Sequence, residues 1–562
     1  MYAFKDFAPF LSGSPLSSVQ SLLVVLGILF SLFIVSGTVS RRRNEPPRMQ
    51  ETIPYVSNIL LFMTDQAAFL DLVQKTFKKT GSHVIKCYIG FRPLFFVAGP
   101  RNVQRLFGSP DVLDGNFIHF LLMSMQWGMS ATELSKFKKD RSGRLPKPIP
   151  GSGPVTEDQR YWRSHSRLYT DFLSDPRYSE ALGSDFLRRF TAQLDQWQED
   201  TASEWTTARL LGTLKTQMSR CAAETLFGTR LFDLNPGFTE CYWQYDEVAG
   251  KLLLGLPSFL MPEAARAKRR LHAMVRRHID SAWASQSAGD VDAECLWEPH
   301  FGSRLSRESA MWMRAQGFSD HAAAGHTLAS LFGLNGNTVP ITAWALMELI
   351  KDPSLLAAVR SEILEGGLNA ETGELDAQRV MNLALLQSIY IETMRLHVSF
   401  NVSREVRDGP FEIVPGCWAD TGAIIQTCST VAHLDEEVWG VDQHPASEFW
   451  AWRHVQTEEA YDDLTGRMAS RSRFVMRARP TSFFPYGGGY WVCPGRHFGK
   501  MEIMLALALI VIRFDLEFVK WTNLDGSETD RPAVDDKRYA GSIAMFPDRD
   551  LCFRWRKRQL EK

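Results

Sequence analysis

The sequence predicts a mainly α fold with small β-sheets, and three observations carry that expectation. The first is the helical pattern from His321 to Lys351, the longest in the chain. It stops at Asp352-Pro353, because the residue before a proline is pushed out of the helical region. The second is the run from Arg496 to Phe514, apolar nearly all round (Met501, Ile503, Met504, Leu505, Leu507, Leu509), as in a helix buried within a domain. The third is that strand signals come early and short: His83 to Tyr88 and Pro93 to Ala98 flank a turn at Gly90, and helices dominate after them. With 562 residues, 45% hydrophobic composition and 16 tryptophans, the chain can build a large core and an apolar pocket. Its 63 basic and 64 acidic residues leave a net charge of −1, and nothing in that balance points to nucleic acid. The eight cysteines are scattered without a CxxC pair, which suits a reducing compartment.

At the N-terminus, Leu22 to Val39 gives 18 residues without a charge, a helix about 27 Å long that can just cross a bilayer. A cleaved signal peptide is the rival. Arg41-Arg42-Arg43 follows the apolar run instead of preceding it, which favours an uncleaved anchor and holds the C-terminal part in the cytosol. The expected division is a tail and transmembrane anchor over 1–40 (span about 22–39), a basic, Pro-containing hinge over 41–50, and one catalytic domain over 51–562.

In order, a helix is expected over Gln66 to Lys79, then the two strands, then the apolar stretch Asn116 to Trp127. Lys136 to Thr156, rich in Lys, Gly, Pro and Ser, reads as an exposed loop. Helices follow over Gln159 to Leu173, with Arg163 and Arg167 on one face, over Phe186 to Trp197, and over Thr206 to Leu226. Lys251 to Met261 is apolar enough to roof a pocket or dip into a membrane surface. Within the longest helix, Pro340 offers no N–H to the carbonyl of Gly336, so the helix is expected to open there, beside Asn337 and Thr338. Leu383 to Leu396 carries Glu392 and Arg395 at i and i+3.

The chemistry centres on Phe484 to Arg496, where Gly487, Gly488 and Gly489 precede one cysteine, Cys493, at the mouth of a helix. The glycines allow the backbone to lie flat against a planar ligand, and the helix N-terminus favours a charged sulfur. Pro494 suits the first helical position, and Gly495 leaves room for a ring system. A lone thiolate suits haem iron as its axial ligand.

Tyr486-x-x-Gly489-x-x-x-Cys493-x-Gly495 resembles the haem-binding signature of the cytochrome P-450 superfamily. Tyr486 stands where that family usually has Phe, Gly499 where it often has Ala, and Trp491 where it usually has Arg or His on a haem propionate. The resemblance implies the cytochrome P-450 fold as one large domain, preceded here by the transmembrane helix, with haem b and Cys493 as its iron ligand. It further implies that Glu392-x-x-Arg395 and Arg453 form a buried ion network, and that Arg404 binds a propionate in compensation for Trp491. Arg163 and Arg167 are further candidates, although the family's Trp-x-x-x-Arg pattern fails by one position at Ser166.

Phe120, Met123, Met125 and Trp127, Val398 to Val402, and Ser542, Ile543 and Ala544 become candidate substrate contacts; core packing explains the first group equally well. Asn337-Thr338 occupies the family's acid–threonine place, with Thr338 as the proton-delivering hydroxyl and Asn337 holding it or a water by hydrogen bonds. This Asn-Thr-x-Pro version is similar to the sterol and bile-acid hydroxylase branch, which also includes prostacyclin synthase.

The function implied is a haem-thiolate monooxygenase that inserts one atom of O2 into a bulky apolar molecule such as a sterol, terpenoid or polyketide, in secondary metabolism. Its partners would be NADPH-cytochrome P-450 reductase, on a basic face formed by Arg471, Arg473, Arg477, Arg479, Arg496 and Lys500, and membrane lipid of the endoplasmic reticulum. A haem-thiolate isomerase or dehydratase needing neither O2 nor reductase stays open beside it, as does a membrane-anchored haem-binding protein.

Overall fold

The computed structural model describes residues 27 and 45–558, except 54, 200–203, 253–256, 286–291, 293 and 463–466. Apart from residue 27, the span expected over 22–39 and the basic cluster at 41–43 lie outside the described residues. Among the described residues no helix is long and apolar enough to cross a membrane.

Helix α1 (Gln66–Thr80) starts where the Asp65 carboxylate accepts the Ala68 N–H and ends at Gly81, in the left-handed region at φ 63°. Strands β1 (Val84–Ile89) and β2 (Arg92–Val97) then form an antiparallel hairpin, within a residue of the expected bounds. After β3 (Leu113–Asp114) come helices α2 (Tyr161–Tyr169) and α3 (Pro176–Glu199). The helix expected to run on to Leu173 changes at Thr170 into one wider π-turn, Thr170–Ser174.

The helix expected from Thr206 begins later. Thr206–Arg209 is strand β4, whose β-branched threonines pair with Trp555 and Arg554, and only Leu210–Phe227 is helical (α4). Helices α5 (Phe238–Leu252), α6 (Pro262–Ala284), α7 (Asp320–Lys351) and α8 (Ala384–His397) lead to strands β5 (Asn401–Val406) and β6 (Ile424–Cys428). The chain closes with α9 (Arg496–Arg513), β7 (Phe514–Asn523) and β8 (Arg549–Lys557).

The early hairpin is the edge of a five-stranded sheet in the order β1-β2-β6-β5-β3, with β6 parallel to β2 and antiparallel to β5. A second sheet joins β7, β8 and β4. Helices α7 and α9 pack together within one apolar cluster, each buried along most of its length. α7 runs unbroken through Pro340, so the expected opening is a carbonyl without its N–H partner inside a continuous helix.

The segment expected as an exposed loop over Lys136 to Thr156 is one from Asp140 on, with residues 146–148 exposed, but it is corrected in two respects. Its first residues end a helix, Ala131–Lys139, and Ser142, Gly143 and Ile149 are buried. The reason is Arg160, wholly buried, which donates to the Leu145 carbonyl (2.5 Å), the Pro146 carbonyl (2.9 Å) and the Ser142 hydroxyl (3.2 Å). One buried guanidinium thus finds its acceptors in the loop and draws the loop's start onto the domain.

Candidate active site

The cysteine loop is closed by its own backbone: the Cys493 N–H donates to the Tyr486 carbonyl at 2.9 Å, and the Val492 N–H to that of Gly489 at 3.2 Å. Gly487 and Gly489 sit at φ 71° and 65°. A Cβ on Gly488 would lie 2.2 Å from the Phe107 ring, and one on Gly489 would lie 2.4 Å from the Phe107 carbonyl oxygen. The glycine run is therefore needed for close approach to Phe107, a protein neighbour the sequence does not reveal. Helix α9 starts at Arg496, as expected, with Gly495 as its N-cap, so Pro494 lies outside the helix and not at its first position. Cys493 keeps accessible surface although protein surrounds it. That enclosure raises its thiol, opposed by the Gly495 N–H, the Arg496 charge and the Arg496 N–H, all of which favour the thiolate. The Tyr486 hydroxyl meets that of Tyr390 on α8.

Below this loop the expected ion network assembles. Arg395 donates to both oxygens of Glu392, at 2.8 and 2.9 Å, and Arg453 donates to Oε2 at 2.9 Å. All three side chains are 0% exposed. Their remaining N–H groups tie down loop carbonyls, Arg395 those of His433 and Glu448, and Arg453 those of Trp439 and Pro445. Burial alone would raise Glu392. Hydrogen bonds from Arg395 and His454, with the charges of both arginines, outweigh it and hold the carboxyl at about 2.

A haem also needs cations at its acidic edge, and the residues present supply them. Arg404, on β5, lies over the Trp491 ring at 4.5 Å and spends two nitrogens on the carbonyls of Ser403 and Gly488, while its Nε is buried without a partner. Arg144, from the misread loop, donates to Asn116 Oδ1 at 2.6 Å, and its Nη2 is likewise without a partner. The Trp491 indole donates to the same Asn116 oxygen at 3.0 Å.

Burial lowers both arginines to about 10. Asp114, the nearest acid, is already paired with Arg407 at 2.9 Å. Two dehydrated guanidinium groups with spare N–H donors, and no carboxylate of their own among the described residues, fit a ligand that brings carboxylates. Burial and the charge of Arg144 also hold neighbouring His119 neutral. Arg163 forms an ion pair with exposed Glu157 at 3.4 Å, although its Nε is also buried without a hydrogen bond, and exposed Arg167 pairs with Asp171 at 3.0 Å.

Thr338 of α7 is buried, its methyl 3.6 Å from where a Cβ on Gly499 would stand, over the first turn of α9. Thr338 Oγ1 lies 2.9 Å from the Leu334 carbonyl and 2.9 Å from Oε1 of Glu502. Glu502 is wholly buried, and its Oε2 has no partner. Burial pushes its carboxyl up to about 8, so at neutral pH it holds a proton. It can give that hydrogen to Thr338 Oγ1 while Thr338 gives its own to Leu334. Among the described residues no hydrogen bond joins Asn337 to Thr338; the Asn337 amide oxygen accepts the Ala544 N–H at 3.0 Å and fastens the segment of Ser542, Ile543 and Ala544 to α7.

Of the roof candidates, Met123 and Trp127 are buried, with Trp127 packed on His165 and His326 as part of the core. Arg471, Arg473, Arg477 and Arg479 are exposed and Arg496 half-buried, with Arg473 paired to Glu458. Sequence reasoning missed Glu502 and Arg144. The signal for Glu502 was present, a lone acid inside an otherwise apolar helix.

The profile described as "Cytochrome P-450" matches residues 129–530. A cytochrome P-450 monooxygenase of Penicillium decumbens (calL) is 36% identical over 544 residues, covering 96% of this chain and 98% of that protein. A cytochrome P-450 monooxygenase of Hormonema carpetanum (efuG) is 24% identical over 537 residues, 92% of this chain and 90% of its own. Cholesterol 7-alpha-monooxygenase of Cricetulus griseus is 23% identical over 559 residues, 96% of this chain and 98% of its own.

Proposed function

The chain belongs to the cytochrome P-450 family, which uses haem on a cysteine thiolate, and from that premise we propose a monooxygenase acting on a bulky apolar substrate of sterol, terpenoid or polyketide type. The observation that carries the reading is the Thr338–Glu502 hydrogen bond over the helix whose entrance presents Cys493. When bound, haem activates O2 so that one oxygen atom enters the substrate and the other leaves as water, with two electrons from NADPH and two protons. Cys493 would hold the iron, and Arg144 and Arg404 the propionates. Glu502 holds a proton, and Thr338, within 2.9 Å, would relay one by turning its own hydrogen from the Leu334 carbonyl toward the pocket as it takes that of Glu502, which is then reprotonated. Water is excluded around them by the apolar faces of α7 and α9.

The relatives named above support oxygen insertion, and the match to cholesterol 7-alpha-monooxygenase supports a large apolar substrate. Electrons would come from NADPH-cytochrome P-450 reductase at the arginine-bearing face. Membrane attachment, with the endoplasmic reticulum as its place and the span at 22–39 as its anchor, is supported by exposed Ile53, Leu60, Phe91, Phe259 and Leu260. The test is spectroscopic and then catalytic. The reduced, carbon monoxide-bound protein should show the red-shifted Soret band of thiolate-ligated haem, and Cys493→Ser should abolish it. Product should require reductase, NADPH and O2 together; turnover of a peroxide substrate without electrons would replace this reading by the isomerase.

A further inference from the structure

Asp246, on α5, is a buried acid that the chemistry above does not use. It is 3% exposed, and among the described residues neither carboxylate oxygen has a hydrogen-bond partner. One turn before it, its helix is tied to two neighbouring helices. The Tyr242 hydroxyl donates to the Leu331 carbonyl of α7 at 3.3 Å, and the Trp243 indole donates to the Lys215 carbonyl at 2.6 Å. The acid is thereby presented to α7 at Gly336, two residues before Thr338. At the point where a Cβ on Gly336 would stand, Asp246 Oδ1 (3.6 Å), Ile543 Cδ1 (3.8 Å) and Phe332 Cε2 (4.0 Å) converge. Ile543 belongs to the segment that Asn337 fastens to α7, so this junction adjoins the distal residues.

Buried polar groups in folded proteins are paired, and one that is not calls for a ligand or a reason. No hydrogen bond of ordinary geometry supplies the reason, although the Tyr539 hydroxyl and the Lys215 charge both act on it. Burial pushes Asp246 up to about 7; the Lys215 charge and the Tyr539 hydroxyl pull it back only in part, Glu247 adding to the rise. Lys215 is itself drawn toward Glu247, at 4.0 Å, and over the Trp243 ring.

We propose that Asp246 is the polar anchor of the substrate pocket and binds a hydroxyl group on an otherwise apolar substrate. The inference rests on the monooxygenase reading and narrows its substrate class. A hydroxyl suits the place because it both donates and accepts, and so pairs with the carboxyl in either protonation state. A cationic group does not, because Lys215 on the flank would repel it. Ile543, Phe332 and the Gly336 backbone supply the apolar walls beside the anchor.

The test uses the haem-loaded protein and two matched pairs of compounds, cholesterol with cholest-5-ene and farnesol with farnesene, titrated by the Soret shift that ligand entry causes. Wild type should prefer the hydroxylated member of at least one pair by about tenfold or more, as a hydrogen bond to a charged or buried carboxyl gives. Asp246→Leu should remove that preference, and Asp246→Asn should keep most of it. Because Asp246 makes no hydrogen bond of ordinary geometry in the ligand-free protein, only weaker pulls from Tyr539 and Lys215, Asp246→Leu should hold or raise its thermal midpoint. A preference that survives in Asp246→Leu, no preference in wild type for either pair, or a lowered midpoint would each overturn the anchor. The carbon monoxide spectrum reports separately: its absence in wild type sinks the monooxygenase reading, whereas a normal band with an unaltered preference sinks the anchor alone.

Discussion

Thr338 and Glu502, 164 positions apart in the chain, share a buried hydrogen bond of 2.9 Å that joins α7 to α9. It links the one hydroxyl beside Asn337 to an acid that is neutral near pH 7. If that pair delivers protons, its two halves should fail in the same way. Thr338→Ala and Glu502→Gln should each keep NADPH consumption while product falls by about 10-fold or more, the remainder appearing as hydrogen peroxide. Thr338→Ser should recover most of the loss. Unchanged coupling in Glu502→Gln would remove the acid from the mechanism and leave Thr338 to draw on water.

Glu502 also makes a prediction about stability. Its folded value of about 8 lies above the ordinary 4.5, so between those limits the folded chain holds a proton that the unfolded chain has released. Its contribution is fully present below pH 4.5 and is lost as pH rises toward 8. Glu502→Gln removes the titration, and the variant should gain on wild type as thermal midpoints are followed from pH 5 to pH 8. Parallel curves would show that the carboxyl is ionised in place.

Glu392 has the opposite sign. Held at about 2 against an ordinary 4.5, it adds stability that is complete above pH 4.5 and lost as pH falls toward 2, on the order of 3 kcal/mol. Glu392→Gln leaves two buried guanidinium groups without their counter-charge and should destabilise the chain by about 3–5 kcal/mol. Denaturant unfolding at pH 7 measures the loss, and the gap between variant and wild type should narrow on acidification. A gap independent of pH would mean that the network acts through shape rather than charge.

What the sequence made legible was what is written locally. The cysteine loop and Glu392-x-x-Arg395 are readable because their spacing alone puts them in contact, within one turn or one loop. The partners of Thr338 and of the glycine run were not, because Glu502 and Phe107 come from distant segments. Arg144 was hidden by composition: a stretch of Lys, Gly, Pro and Ser reads as solvent-exposed until Arg160 is seen holding its carbonyls from within. Asp246 was hidden for the opposite reason, since one acid on an amphipathic helix is expected to face water, and only packing shows that this one does not.

The two unpaired arginines give the last prediction. Arg144 and Arg404 each carry a buried or enclosed N–H donor without an acceptor, and each is lowered to about 10 by burial, a state that is costly unless an anion completes it. Haem propionates are that anion if the acidic edge lies here, and a charge-assisted hydrogen bond is worth about 1.5–3 kcal/mol. Arg144→Ala and Arg404→Ala should therefore each speed haem release by roughly 10- to 100-fold, read as transfer to an excess of apomyoglobin without any assay of activity. Arg163→Ala and Arg167→Ala, whose guanidinium groups already face Glu157 and Asp171, should release haem at the wild-type rate. Asn116→Ala should lie between, since it frees both the Trp491 indole and Arg144 from the oxygen that orients them. If Arg163→Ala loosens haem and Arg144→Ala does not, the acidic edge points toward α2, and Arg144 owes its burial to the fold alone.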